Sequence, residues 1–371
     1  MIDNCVFNPT RLTLARKRRG LTMTRLAAGV GVDLRSISAY ENGEFSPDED
    51  KLQELARVLR FPVEFFFGDD LDELTPDSAS FRAMSKMTAA QRDTALGSGT
   101  IALLLNRWIE VRFDLPVAQL PDLSQAENPE AAAGALRQHW GLGELPIKNM
   151  VHLLEAKGVR VFSLAVDAAE VDAFSMWLES TPFVFLNTNK SAEHSRFDAA
   201  HELGHLVLHR HGAPQGQDAE RQANAFASAF LMPRASVLAN VRRALLTVDH
   251  LIKLKKYWTV SVAALAYRLH SLEILTEWHY RTLFIQISSR GYRKHEPEEA
   301  QRETSQVFAK VFSSLRNESV SKGDIAAELC VSIEEIEQLV FGLALTSLAG
   351  TGKLRRSVSK RPQLRVVGAG D

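Results

Sequence analysis

A mainly α-helical chain with one small β-sheet, an α+β protein of two or three domains, is predicted by three observations. At 371 residues the chain exceeds what one ordinary hydrophobic core organises. Most of it carries apolar residues at helical spacing, punctuated by Gly and Pro. Its strand-like runs, short and rich in Val and aromatics, fall together near the middle. A hydrophobic content of 45% with 24% charged residues fits a soluble globular protein. With only Cys5 and Cys330 present, a disulfide framework or a cysteine-based metal site is not expected, and a reducing compartment is. No apolar leader or membrane-length run is visible, so the expected location is cytoplasmic, with no membrane partner.

The formal net charge of −1 hides an asymmetry. From Arg11 to Arg35 there are seven basic residues and one acid, and from Glu41 to Asp77 twelve acids against three bases. That split points to one surface facing a polyanion. Residues 9–68 read as short helices broken at Gly20, at Gly29-Val30-Gly31 and at "ENGEFSPDED". Within them "LTMTRLAAGVGVDLRSISAYENG" holds a helix, a glycine-rich turn and a second helix capped by Asp33, with Leu26, Ala27, Val30, Val32 and Ile37 as the apolar set.

Residues 11–67 resemble the Cro/CI-type (Xre) helix-turn-helix. The resemblance implies a recognition helix starting near Asp33 that directs Leu34, Arg35, Ser38 and Ala39 toward the major groove of a sequence-specific operator. Leu34 and Ala39 could meet only a thymine methyl, which leaves Arg35 as the best base reader, with Thr22, Arg25 and Ser36 on phosphates. Met23 stands where this family often has a glutamine that contacts DNA. Arg16 to Arg19 either attract phosphate at long range or form a solvated helix end. Half-site geometry implies a homodimer. A helix-turn-helix reused for protein contacts is the alternative.

The acidic segment "DDLDELTPDSAS", residues 69–80, reads as a linker. Helical patterns with Pro-rich breaks occupy 81–158, ending in "LPIKNMVHLLEAKG" with its terminal Gly. Three strand runs follow, "VRVFSLA", "AFSMWLE" and "PFVFLN". Helices resume at Arg196, and "YRTLFIQISSRGYR" suggests one more strand or turn. The end is helical to about Leu348, before a basic tail expected to be disordered.

"RFDAAHELGHLVLHRHG", residues 196–212, holds four of the eleven histidines. On a helix, His201 and His205 project from one face a turn apart and can hold one zinc ion. Glu202 leans toward the same opening as a general base, and Ala199, Leu203, Leu206 and Leu208 pack the helix inward. A catalytic zinc site needs a third protein ligand and an open corner. "DAERQANAFASAFLMP" offers Glu220 at the start of an alanine-rich helix, with Asn224 one turn on to hydrogen-bond a ligating imidazole. The alternative is an amphipathic helix with satisfied histidines.

"RFDAAHELGHLVLH" followed by "ERQANAFASAFLMP" resembles the ImmA/IrrE family of zinc-dependent endopeptidases, across 196–233 and on to about 150–275. The resemblance implies zincin-like architecture, with His201, His205 and Glu220 binding Zn2+ and Glu202 as catalytic base. It also implies "PFVFLN" as an edge strand that receives an extended substrate. His209 reads as a terminal or supporting histidine, His211 as exposed loop and His194 as surface. Tyr267, ahead of Arg268 and His270, is the chosen donor to the oxyanion.

The expected organisation is a helix-turn-helix domain (1–68), a linker (69–80), a metallopeptidase-like domain (81–275), a helical regulatory or interaction region (276–350) and a basic tail (351–371). "SKGDIAAELCVSIEEIEQLVFGL" also scans as a helix-turn-helix, but Glu334, Glu335 and Glu337 would repel phosphate, which favours packing or dimerisation. The joint expectation is a DNA-binding regulator that cleaves a repressor, an antitoxin-like partner or itself near 69–80. The rival is a non-enzymatic transcription factor or antitoxin whose peptidase-like domain only binds a partner.

Overall fold

The computed structural model describes residues 6–72, 74, 88–164, 172–210, 216–242 and 246–344. Four short helices build the N-terminal head: α1 (Pro9–Arg18), α2 (Met23–Val30), α3 (Leu34–Glu41) and α4 (Glu49–Leu59). A 3-10 turn, Val63–Phe67, closes it. Thr22 and Asp33 cap α2 and α3 by accepting the backbone N–H groups of Arg25 and Ser36. Gly31 ends α2 at φ 71°, a left-handed conformation that turns the chain into α3. Leu26, Ile37, Leu55, Leu59, Phe65 and Phe66 fill the centre of the head.

A long helix, α5 (Ala89–Arg112), forms the spine. Its residues from Thr94 to Leu103 are all buried, so it is enclosed on every side. Glycine makes that possible. A Cβ on Gly97 would stand 3.0 Å from Arg18 Cα of the head. One on Gly99 would overlap Leu74 and approach the rings of Phe174 and Phe185. Leu74 is thus buried, and Asp69 O and Asp70 are held by Arg11, Asn8 and Thr10. The described part of the acidic 69–80 segment lies against the body; residues 75–80 are outside the described residues.

Beyond α6 (Pro129–His139) and α7 (Met150–Ala156) comes the three-stranded sheet: β1 (Arg160–Ser163), β2 (Ala173–Leu178) and β3 (Thr181–Leu186). Their order is β1-β3-β2, with β1 parallel and β2 antiparallel to β3. Phe162, Phe174 and Phe185 stack on one face, with 4.4 Å between the centroids of Phe174 and Phe185. The other face lies on α8 (Ala192–Leu208), where Trp177 Nε1 donates to Leu206 O at 3.1 Å. A sheet covered on both faces needs apolar residues at nearly every position, which these strands have.

The order corrects one expectation. "PFVFLN" is the central strand, not an edge, because β2 folds back on it as a hairpin while β1 takes its other side. Both its hydrogen-bonding edges are used, and β1 and β2 are the outer strands.

Helices α9 (Gln217–Leu231), α10 (Arg234–Asn240), α11 (Val248–Trp258) and α12 (Val262–Ser271) complete the central unit, followed by α13 (Glu277–Ser289). This α13 corrects a second expectation in part, since "YRTLFIQISSRGYR" forms no strand: it is helix to Ser289 and a turn from Arg290. Thr276 caps it, and Leu283 and Ile287, four apart, are its buried pair; helical spacing outweighed β-branched composition.

Of the C-terminal helices, α14 (Gln306–Asn317) packs on α7, α15 (Lys322–Glu328) reaches the spine through Glu328, and α16 (Ile333–Val340) packs on the spine and β1 and meets the head through Glu335. Glu335 is 1% exposed and meets Arg18 Nε at 2.9 Å and Arg19 Nη1 at 2.7 Å. Glu328 accepts from Trp108 Nε1 at 2.6 Å and pairs with Arg112. The arginine run of α1 is therefore neither a free phosphate attractor nor a solvated helix end. Arg16 pairs with Glu41 at 2.5 Å, and Arg18 and Arg19 serve Glu335. The basic tail is outside the described residues.

Candidate functional site

Helix α8 carries the histidines, and its N-terminal half is fixed by buried charges. Glu193 takes the ammonium of Lys255 at 2.6 Å, and the guanidinium of Arg196 is paired with Glu303. Ala199, Leu203, Leu206 and Leu208 are buried on its inner side. Gly204, between the two histidines, decides how near α9 comes. A Cβ there would meet Phe226 Cδ1 at 3.0 Å and Ala223 Cα at 3.3 Å. That approach brings Glu220 over the imidazoles.

His201 Nε2 and His205 Nε2 lie 3.0 Å apart. Glu220 places one oxygen 3.6 Å from the first and the other 3.3 Å from the second. His201, His205 and Glu220 are the His/Cys/Asp/Glu group able to hold a metal ion among the described residues. The donor atoms fit such an ion. Two nitrogens this close, with a carboxylate opposite, suit a shared cation, which would take the place of the ring hydrogen that one imidazole must otherwise set between them. Zinc–ligand bonds of about 2.0–2.1 Å in a tetrahedron set donor atoms roughly 3.3–3.4 Å apart, near the spacing seen here. Burial lowers the pKa of His201, which favours the neutral, ligating imidazole.

The second nitrogens are engaged as well. His201 Nδ1 is 3.1 Å from Asn224 Oδ1. His205 Nδ1 is 2.9 Å from His209 Nδ1, and His209 Nε2 is 3.1 Å from Gln222 Oε1. His209 caps the end of α8, outside the trio, and its burial pushes its pKa down to about 4. His211 lies outside the described residues.

Glu202 is 2% exposed. Ser175 of β2 donates its hydroxyl to Glu202 Oε2 at 2.6 Å. Sequence reasoning passed over Ser175, a small polar residue inside an apolar strand run; a buried hydroxyl in such a run needs a partner, and that was the available signal. Gly204 was passed over too, because its reason is the neighbouring helix.

Beside the trio opens a cleft of 590 Å³ lined in part by His194, Phe197, Arg221, Asn224 and Tyr267. Tyr267 stands 49% exposed on its wall. Arg268 is buried instead, donating to Met232 O at 2.9 Å and pairing with Glu130, while His270 meets Glu277 at 2.8 Å. His194 is an exposed residue, as expected, and it also lines the cleft. Burial lowers its pKa to about 4, with Lys190 adding to the shift. Below it, burial raises the carboxyl of Asp198 to about 7.

In the head, Leu34 (48% exposed), Arg35, Thr22 and Arg25 are presented to solvent, and Ser36 and Ser38 are partly so. Ala39 is only 6% exposed, which corrects its place among the groove-facing residues. It turns inward near Ile37 and Tyr40, and its carbonyl accepts the N–H of Glu44 at 2.9 Å.

Comparison with known proteins gives two matches along the chain. Residues 154–270 match the family described as IrrE N-terminal-like domain, Peptidase M78, and residues 12–66 match a helix-turn-helix family. Two curated relatives are described as uncharacterized HTH-type transcriptional regulators, one from Sinorhizobium medicae and one from Rhizobium meliloti. Each is 32% identical over 60 residues, 16% of this chain and 43% of the relative, so the match spans less than half of those proteins.

Proposed function

We propose that this chain, which joins a helix-turn-helix domain to an IrrE N-terminal-like domain, is a DNA-binding transcriptional regulator carrying a zinc endopeptidase for a specific protein substrate. The observation that carries the reading is the convergence of two imidazole nitrogens and one carboxylate, from two helices, at tetrahedral-edge spacing beside a cleft. His201, His205 and Glu220 would hold the ion. A zinc ion bound there supplies Lewis-acid polarisation of the scissile carbonyl and acidifies a water molecule.

The chain's own groups do the rest. Glu202 takes a proton from water and returns it to the leaving amine. The Ser175 hydroxyl fixes one carboxylate oxygen of Glu202. Asn224 accepts from His201 and sets that ring's tautomer. Tyr267, on the cleft wall, donates to the oxyanion. The substrate lies extended along β2, whose outer edge has no pairing strand among the described residues.

Arg35 and Leu34 read bases, Ser38 assists, and Thr22, Arg25 and Ser36 meet phosphates of an operator bound by a homodimer. The substrate is a repressor or antitoxin-like protein. Cleavage in trans is favoured over self-cleavage near 69–80, because Asp69 and Asp70 are held by hydrogen bonds and Leu74 is buried. The test is incubation of purified protein, zinc-loaded, with the DNA-binding proteins encoded beside it. Wild type should cut one of them at one site and Glu202→Gln should not. Equal fragments from both forms would leave a DNA-binding scaffold.

A further inference from the structure

We infer that His209 and Gln222 are positioning residues for His205, joined to it in a one-way chain of hydrogen bonds that orients this ring toward the metal. The inference rests on the reading of His201, His205 and Glu220 as metal ligands. His205 presents Nε2 to the trio. A ring nitrogen that gives its lone pair to a cation carries no hydrogen, so the proton of neutral His205 sits on Nδ1. That atom is 2.9 Å from His209 Nδ1, which must therefore accept. A neutral imidazole that accepts at Nδ1 carries its proton on Nε2. His209 Nε2 is 3.1 Å from Gln222 Oε1, an acceptor, and the chain ends there.

Each link is dictated by the one before it. Turning the Gln222 amide over would set two N–H donors against each other. The chain also spans the two helices that supply the ligands, with His209 at the end of α8 and Gln222 on α9. A helix-capping role for His209 is separable from this one. The backbone N–H of His209 donates to His205 O at 3.0 Å, and that bond survives replacement of the side chain.

The experiment is zinc affinity of the full chain, measured by competition with a chelating dye, alongside the melting temperature of each metal-free variant. Outer partners of a ligating histidine typically change metal affinity by about 10–100-fold. Gln222→Leu should weaken zinc binding at least about tenfold, and His209→Phe at least as much. The double variant should be no weaker than His209→Phe alone, since Gln222 acts only through His209. Gln222→Glu, which keeps an acceptor, should restore affinity. Metal-free melting should stay at the wild-type value. Wild-type affinity in Gln222→Leu, or additive losses in the double variant, would overturn the chain. A wild type that binds no zinc overturns the metal reading itself and the inference with it.

Discussion

Replacing Glu335 by Ala removes a carboxylate that is 1% exposed and faces two guanidinium groups, Arg18 at 2.9 Å and Arg19 at 2.7 Å. The Arg18 side chain has 0% exposure, so water cannot replace the carboxylate when it leaves, although Gln338 Oε1 still accepts from Nη2. Arg19 is 14% exposed and keeps its bonds to the carbonyls of Leu59 and Arg60, so the loss falls on Arg18. Stranding one buried charge of an ion pair costs about 3–5 kcal/mol. Chemical denaturation of Glu335→Ala against wild type reads this directly. Limited proteolysis should show α16 cut first, because Glu335 lies on it. A companion variant, Arg18→Met with Glu335→Leu, replaces the pair by apolar volume and should recover most of the loss. The reasoning fails if Glu335→Ala stays within about 1 kcal/mol of wild type, or if the companion is as unstable as the single variant.

Two further outcomes can be checked without a known substrate. Glu155 is 2% exposed, and burial raises its pKa to about 7 although Ser305 Oγ and the N–H groups of Gln306 and Val307 donate to it. A raised carboxyl stabilises the fold fully below its unfolded pKa and loses that contribution as pH climbs to about 7, so wild type should lose more stability between about pH 4.5 and 7 than Glu155→Gln. Parallel stability curves for the two proteins would contradict this. On DNA, Arg35→Ala should cost about 1–3 kcal/mol at one operator base, whereas Arg25→Ala should weaken all sequences alike and lower the salt slope by about 1. Titration of operator and scrambled duplexes at several salt concentrations separates the two.

What could be read in advance was local. The spacing of His201 and His205, the cap at Asp33 and the alanine-rich stretch around Glu220 each express a short-range rule, and the helices stand where those rules put them. What could not be read depends on distant partners. The arginines of α1 look like a phosphate-seeking patch until Glu335, 317 residues from Arg18, is beside them. The rank of β3 within the sheet is a matter of pairing, which its own composition does not encode. Ser175 and Gly204 likewise have meaning only against Glu202 and Phe226. The stretch at α13 misled for another reason. Its aromatic and β-branched residues fit a strand, but the buried pair Leu283 and Ile287 sets a helical period.

The claim on which the rest stands is that His201, His205 and Glu220 close around one divalent ion. Elemental analysis of protein purified without added metal tests it, with Glu220→Ala and the double variant His201→Ala, His205→Ala as references. About one zinc per wild-type chain, strongly reduced in Glu220→Ala and absent from the double variant, is the predicted result. Wild-type protein with no bound metal, or Glu220→Ala retaining a full complement, would contradict it.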